Sequence, residues 1–130
     1  MKKLFILLFF VLVYLKAEVI NTPPTQNFYA QHIPIVDIRT PSEWRQTGIL
    51  KGAIPIMFFD KKGEFDIERF LQQLKLHVDT SKAFALICRT GHRTSIVANF
   101  LSKEYNYRVF NLTGGVFKAK ENKLPFVPYR

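Results

Sequence analysis

Along this chain, stretches that are apolar on successive residues alternate with stretches that are apolar only at helical spacing. Ile33 to Ile38 (Ile, Pro, Ile, Val, Asp, Ile) is β-branched and apolar on both faces, which predicts a strand buried within a parallel sheet. Ala83 to Ile87 and Arg108 to Leu112 read the same way. Between them, Phe65 to Val78 places Ile67, Phe70, Leu71 and Leu74 on one helical face, with Glu, Arg, Gln and Lys opposite. Ser95 to Glu104 predicts a second helix, its buried face formed by Ile96, Val97, Phe100 and Leu101.

Shorter elements fill the intervals. Val19 and Ile20 suggest an edge strand, and Pro24 opens one or two helical turns. Ser42 is placed to cap a short helix through Glu43, Trp44 and Arg45, which Gly48 closes, and Gly52 to Ile56 gives another short strand. Lys61, Lys62 and Gly63 form a turn, Gly114 and Gly115 form another, and Pro125 and Pro128 mark a tail. Strands alternating with helices predict an α/β fold with a mainly parallel central sheet flanked by helices.

Length and composition narrow this picture. The 130 residues suffice for one domain with a single core, and 48% hydrophobic against 22% charged residues excludes a disordered chain. Part of the apolarity lies outside that core. Met1, Lys2 and Lys3 form a basic head, Leu4 to Leu15 an apolar run, and Lys16 to Glu18 a polar close, the layout of a secretory signal. A bilayer span takes roughly 20 apolar residues, so this run predicts a signal peptide over residues 1 to 17 and a domain over 18 to 130. The expected location is exported, in the periplasm, with a membrane association only if the signal stays uncleaved.

Without residues 1 to 17 the chain keeps sixteen basic residues against ten acidic, a net charge of +6. These basic residues are scattered and lack the interleaved aromatics of a nucleic-acid surface, so small anionic partners are expected and nucleic acid is not. No histidine, cysteine or carboxylate cluster has metal-ligand spacing, and neither a metal nor a cofactor is expected.

The chain contains one cysteine, which forms no internal disulfide, whereas exported proteins usually pair their cysteines or avoid them. A lone cysteine is often a small buried hydrophobe. Cys88, however, is followed by Arg89, Thr90, Gly91, His92, Arg93 and Thr94, which do not suit a core. It stands at the end of an expected strand, in a Gly-containing loop that feeds a helix N-terminus. Backbone N–H groups and the helix dipole favour an anion there, so a thiolate is favoured too.

Three separate stretches resemble single-domain rhodaneses. Val36 to Arg39, with Glu43, Trp44 and then Gly48 through Ile54, is similar to that family's N-terminal signature; Cys88 to Arg93 resembles its active-site loop; Asn111 to Gly115 resembles its last strand and turn. The departures are Ile49 where many members carry histidine, Ala119 where a tryptophan is common, and Lys123 at a later glycine. The resemblance implies a rhodanese-like three-layer domain over roughly residues 19 to 127. It also implies a sulfurtransferase with Cys88 as nucleophile, taking a sulfane sulfur from a thiosulfate-like donor and passing it from a persulfide to a thiol, a protein thiol included, or to a cyanide-like acceptor.

Within that implied mechanism Arg89, Thr90, Gly91, His92, Arg93 and Thr94 form the anion-binding loop. Arg89 faces the entrance, while His92 is either a proton donor or a plain loop residue. Arg93 either binds the anion or turns inward to pair with a carboxylate such as Asp37. Asp37 and Arg39 are expected as structural support, and Glu43 and Trp44 as packing or salt-bridge residues. Protein tyrosine phosphatases place five residues between their cysteine and arginine; here four separate Cys88 from Arg93, a smaller cradle that resembles the sulfurtransferases. The alternatives are a non-turnover persulfide carrier or redox-partner module of the same fold and, further off, a phosphatase or arsenate reductase.

Overall fold

Among residues 17–130, which the computed structural model describes, strands and helices alternate from end to end. They are β1 (Val19–Thr22), α1 (Gln26–Ala30), β2 (Ile35–Asp37), α2 (Pro41–Thr47), β3 (Ile49–Leu50), β4 (Ile54–Pro55), α3 (Ile67–His77), β5 (Phe84–Ile87), α4 (His92–Tyr105), β6 (Val109–Leu112), α5 (Gly115–Glu121) and β7 (Phe126–Val127). The expected export segment falls, but for Ala17, outside the described residues. No helix among the described residues is long and apolar enough to cross a membrane.

Five strands form one sheet in the order β1-β6-β5-β2-β4, and every neighbouring pair in it is parallel. The α/β architecture expected from the alternation is therefore the one observed. All residues of β2 and β5 are buried, because these strands carry helices on both faces and the pleat sends successive side chains to opposite sides. Phe84 and Leu86 pack with Phe70 and Leu74 of α3 and Val97, Ala98 and Leu101 of α4. Ala85 and Ile87 pack with Phe28 of α1 and Val116 and Ala119 of α5. The result is three layers, and the same period of two turns Cys88, one residue past β5, toward α4.

Several boundaries differ from the sequence-based expectation, each for a physical reason. Thr40 rather than Ser42 caps α2: its side chain accepts from Glu43 N–H while the Glu43 carboxylate accepts from Thr40 N–H, a reciprocal capping box. Thr25 caps α1, so Pro24 lies just before the helix. α4 starts at His92, one turn before Ser95, and its buried stripe is Thr94, Val97, Ala98 and Leu101, leaving Ile96 51% exposed. The stripe is rotated because the polar Thr94 is buried beneath the loop. The segment after Gly115 is a helix, and the expected tail contributes β7, antiparallel to β3 through Ile49–Val127 and Leu50–Phe126. Two-residue strands carry no periodicity, so only their mutual contact defines them.

Candidate active site

The site begins where β5 ends. Cys88 follows four buried strand residues, and Gly91, at φ +96°, reverses the chain into α4. That backbone region favours glycine. The first amides of a helix have no acceptor within it, and Gly91 N–H donates instead to Cys88 Sγ at 3.2 Å. An amide at a helix N-terminus thus points at the sulfur. The Cys88 residue is only 1% exposed.

A second helix N-terminus holds the loop from beneath. Val116 N–H donates to Cys88 O at 2.8 Å and Phe117 N–H to Arg89 O at 3.1 Å. This close approach needs a glycine: a Cβ on Gly115 would stand 2.3 Å from Cys88 O and 2.6 Å from Arg89 O. The double glycine of the sequence therefore does more than turn the chain. It lets α5 lie against the backbone of the cysteine loop.

Beneath the sulfur lies a line of polar side chains. Cys88 Sγ is 3.5 Å from Thr94 Oγ1, which donates to Asn111 Oδ1 at 2.6 Å; Asn111 Nδ2 donates to Asn21 Oδ1 at 3.0 Å. Thr94 and Asn111 are buried, whereas Asn21 is exposed on the edge strand β1. Sequence reasoning assigned Asn111 to a family motif without a role and passed over Asn21. The available signal was a single polar residue in the otherwise apolar run Val109, Phe110, Asn111, Leu112.

Arg93 is not paired with Asp37. It reaches α2 and donates from both terminal nitrogens to the two Glu43 carboxylate oxygens, each at 2.7 Å. This pair outcompetes desolvation, holding Glu43 down from 4.5 to about 2 and raising Arg93 above its ordinary value. Cys88 and Asp37 reinforce the charge on Arg93 from a greater distance. Asp37 is not open to Arg93 because it is already saturated. Its carboxylate accepts from Arg39 Nε at 3.0 Å, Arg39 Nη2 at 2.8 Å, Arg39 N–H at 3.1 Å and Trp44 Nε1 at 3.1 Å.

Arg39, 1% exposed, directs its remaining donors to Thr47 Oγ1 at 2.8 Å and Gly48 O at 3.0 Å. Asp37 and Arg39 therefore tie the end of β2 to the middle and the C-terminal end of α2, the helix that carries Glu43. Of the other loop residues, Arg89, Thr90 and His92 are exposed. Arg89 borders a cleft of about 160 Å³ with Glu43, Gln46, Thr47, Phe117 and Lys120. A second cleft of about 500 Å³ is bordered by Trp44, Met57, Phe65 and Phe70, and Cys88 lines neither of the two.

A parallel sheet between two helical layers, with a cysteine at the C-terminal end of its central strand in a loop that opens a helix, defines a class of α/β cysteine-loop domains. The family model of the rhodanese-like domain matches residues 18–122. An uncharacterized protein of Rickettsia prowazekii (strain Madrid E) is 31% identical over 102 residues, covering 71% of this chain and 80% of the relative. A rhodanese-related protein from Thermoplasma volcanium superimposes with a TM-score of 0.60 at 22% identity, over 79% of this chain and 91% of that one. A rhodanese-like domain protein from Staphylococcus aureus gives 0.59 at 18% identity, over 85% and 98%. The chain belongs to the rhodanese-like domain family.

Proposed function

We propose that this protein is a sulfurtransferase that carries a sulfane sulfur as a persulfide on Cys88. The supporting observation is the Gly91 amide directed at Cys88 Sγ at the N-terminus of α4, because thiolate, persulfide and oxyanion leaving group are all anionic. In the first half-reaction the Cys88 thiolate attacks the outer sulfur of a thiosulfate-like donor. The new S–S bond forms as the donor's S–S bond breaks, and sulfite leaves with the electron pair. In the second, a thiol or cyanide-like acceptor attacks the outer sulfur of the persulfide and Cys88 departs as thiolate. Arg89, exposed at the cleft beside the loop, attracts the anionic donor.

The engagement of Arg93 by Glu43 supports sulfur over phosphate transfer. Both terminal nitrogens that would clamp a phosphate are bonded to a carboxylate, and the donor directed at the sulfur is the Gly91 amide. Incubation with thiosulfate followed by intact mass tests the reading: one added sulfur atom on the wild type and none on Cys88→Ser. Thiocyanate formation on adding cyanide then separates a turning-over enzyme from a persulfide carrier. Absence of an adduct with any sulfane donor, or Cys88-dependent release of phosphate from an aryl phosphate, overturns it.

We also propose export to the periplasm. The basic head, the apolar run from Leu4 to Leu15 and the single unpaired cysteine support it. N-terminal sequencing of the protein from the periplasmic fraction tests this, and a cytoplasmic product retaining Met1 to Ala17 speaks against it.

A further inference from the structure

We propose that Thr94, Asn111 and Asn21 form a hydrogen-bond relay whose direction follows the charge on Cys88, so that a surface residue of the edge strand positions a proton beside the reacting sulfur. This rests on Cys88 being the reacting thiol and on no particular donor or acceptor. The relay is built into the register of the sheet. Asn21 of β1 and Asn111 of β6 are direct partners across parallel strands, and Asn111 lies two residues on from Val109, which packs on the α4 face with Cys88.

Counting protons fixes the direction. Thr94 has a single hydroxyl proton and three neighbours: Asn111 Oδ1 at 2.6 Å, Gly91 O at 3.1 Å and Cys88 Sγ at 3.5 Å. The two oxygens are acceptors only, and the shorter contact takes the proton. Thr94 then turns a lone pair toward the sulfur, an arrangement that accepts from a thiol S–H but gives a thiolate nothing. Asn111 presents its oxygen to Thr94 because its Nδ2 is bonded to Asn21 Oδ1 at 3.0 Å.

Turning over both amides reverses the two bonds that link Thr94, Asn111 and Asn21. Asn21 Nδ2 then donates to Asn111 Oδ1, Asn111 Nδ2 donates to Thr94 Oγ1, and the Thr94 proton is freed for Gly91 O or the sulfur. A charged sulfur, the stronger acceptor, draws it, while Gly91 O keeps Ser95 N–H at 3.1 Å. One direction suits a neutral thiol and the other an anionic sulfur. Thr94 and Asn111 are buried, 0% and 3% exposed, so solvent does not complete the reversal for them. Asn21 is exposed and turns freely. An asparagine at that position serves both directions, whereas an aspartate, which accepts only, holds the relay in the direction that favours the thiol.

Charged and titratable groups also surround the loop: Arg93 and His92 from α4, Arg89 from the loop itself, Asp37 from β2, and Glu43 of α2 through its pair with Arg93. The test must separate the relay from charge. The rate of Cys88 alkylation by iodoacetamide is measured against pH for the wild type and Asn21→Asp, at low salt and at about 1 M KCl, where screening acts within roughly 3 Å. The expected result is a profile displaced to higher pH, with alkylation about tenfold slower on its rising limb, the factor that one hydrogen bond to a charged group supplies, and the displacement persists in high salt.

A second, independent arm measures the same substitution in a Thr94→Val background, where the effect of Asn21→Asp is expected to vanish. An unmoved profile, one whose displacement disappears in 1 M KCl, or one undiminished without the Thr94 hydroxyl overturns the relay. The salt arm decides the matter even if Thr94→Val does not fold. Because alkylation reads the thiol directly, the result is independent of whether thiosulfate is a donor.

Discussion

Arg93 and Glu43, 50 residues apart in the chain, meet through two parallel bonds of 2.7 Å that join the N-terminus of α4 to α2. The pair is partly buried, so it escapes part of the solvent screening that makes surface pairs weak. Glu43 is held near 2 by Arg93, below its ordinary 4.5, and so binds its proton more readily in the unfolded chain. Its stabilisation is therefore complete above about pH 4.5 and is lost as the pH falls toward 2. Denaturation of Glu43→Gln is expected to show a loss of about 1 kcal/mol at pH 7 that shrinks in that window. A loss that stays constant down to pH 2 contradicts this assignment.

Removal of Asp37 acts on a different scale. In Asp37→Ala the guanidinium of Arg39, 1% exposed, loses its counter-ion, and Trp44 Nε1 loses its acceptor. A destabilisation of about 3–5 kcal/mol is expected, the penalty of an uncompensated buried charge. Trp44, the single tryptophan, reports the urea transition by its fluorescence. A change below about 1 kcal/mol would mean that Arg39 finds water or another partner.

The two glycines at positions 52 and 115 separate strain from contact. Gly52 has φ +87° and nothing lies within 4 Å of the point where a Cβ would stand, so Gly52→Ala is expected to lower stability by about 1 kcal/mol and leave sulfur transfer unchanged. Gly115 has φ +56° and would place its Cβ 2.6 Å from the backbone carbon of Arg89. Gly115→Ala must displace the cysteine loop, and at least a roughly tenfold fall in persulfide formation at saturating thiosulfate is expected alongside the stability loss. Equal activities in the two variants would show that α5 does not set the loop.

Arg89 is exposed at the cleft and Arg93 is bonded to Glu43, so the proposed sulfurtransferase would draw its anionic donor with the former. Arg89→Ala is expected to raise KM for thiosulfate about threefold to tenfold with kcat nearly unchanged, and to flatten the dependence of kcat/KM on ionic strength. A fall in kcat with KM unchanged would place Arg89 in the chemical step instead.

The elements readable from sequence were those with long or regular patterns. The buried runs around Val36 and Leu86 and the stripe of Phe70 and Leu74 each exclude other periods, and the alternation of strands with helices leaves a parallel sheet as the natural arrangement. The Thr40–Glu43 capping box was also present in the sequence, three residues apart, but the neighbouring Ser42 offered a competing cap. The start of α4 was obscured because Gly91 opens the helix without a side-chain cap. β3 and β7 were invisible: each is two residues long, and they lie far apart along the chain.

The sequence by itself determined the α/β class, the strand-loop-helix around Cys88, the four-residue spacing to Arg93 and the family resemblance, because all of these depend on local pattern. Tertiary structure alone decided what each polar group bonds to. Asp37 is saturated by Arg39 and Trp44, Arg93 is turned to Glu43, and Asn21 is brought 3.0 Å from Asn111 across 90 residues. A buried donor or acceptor must find a partner, and which partner is in reach is set by sheet order and register, which no local stretch of the chain encodes.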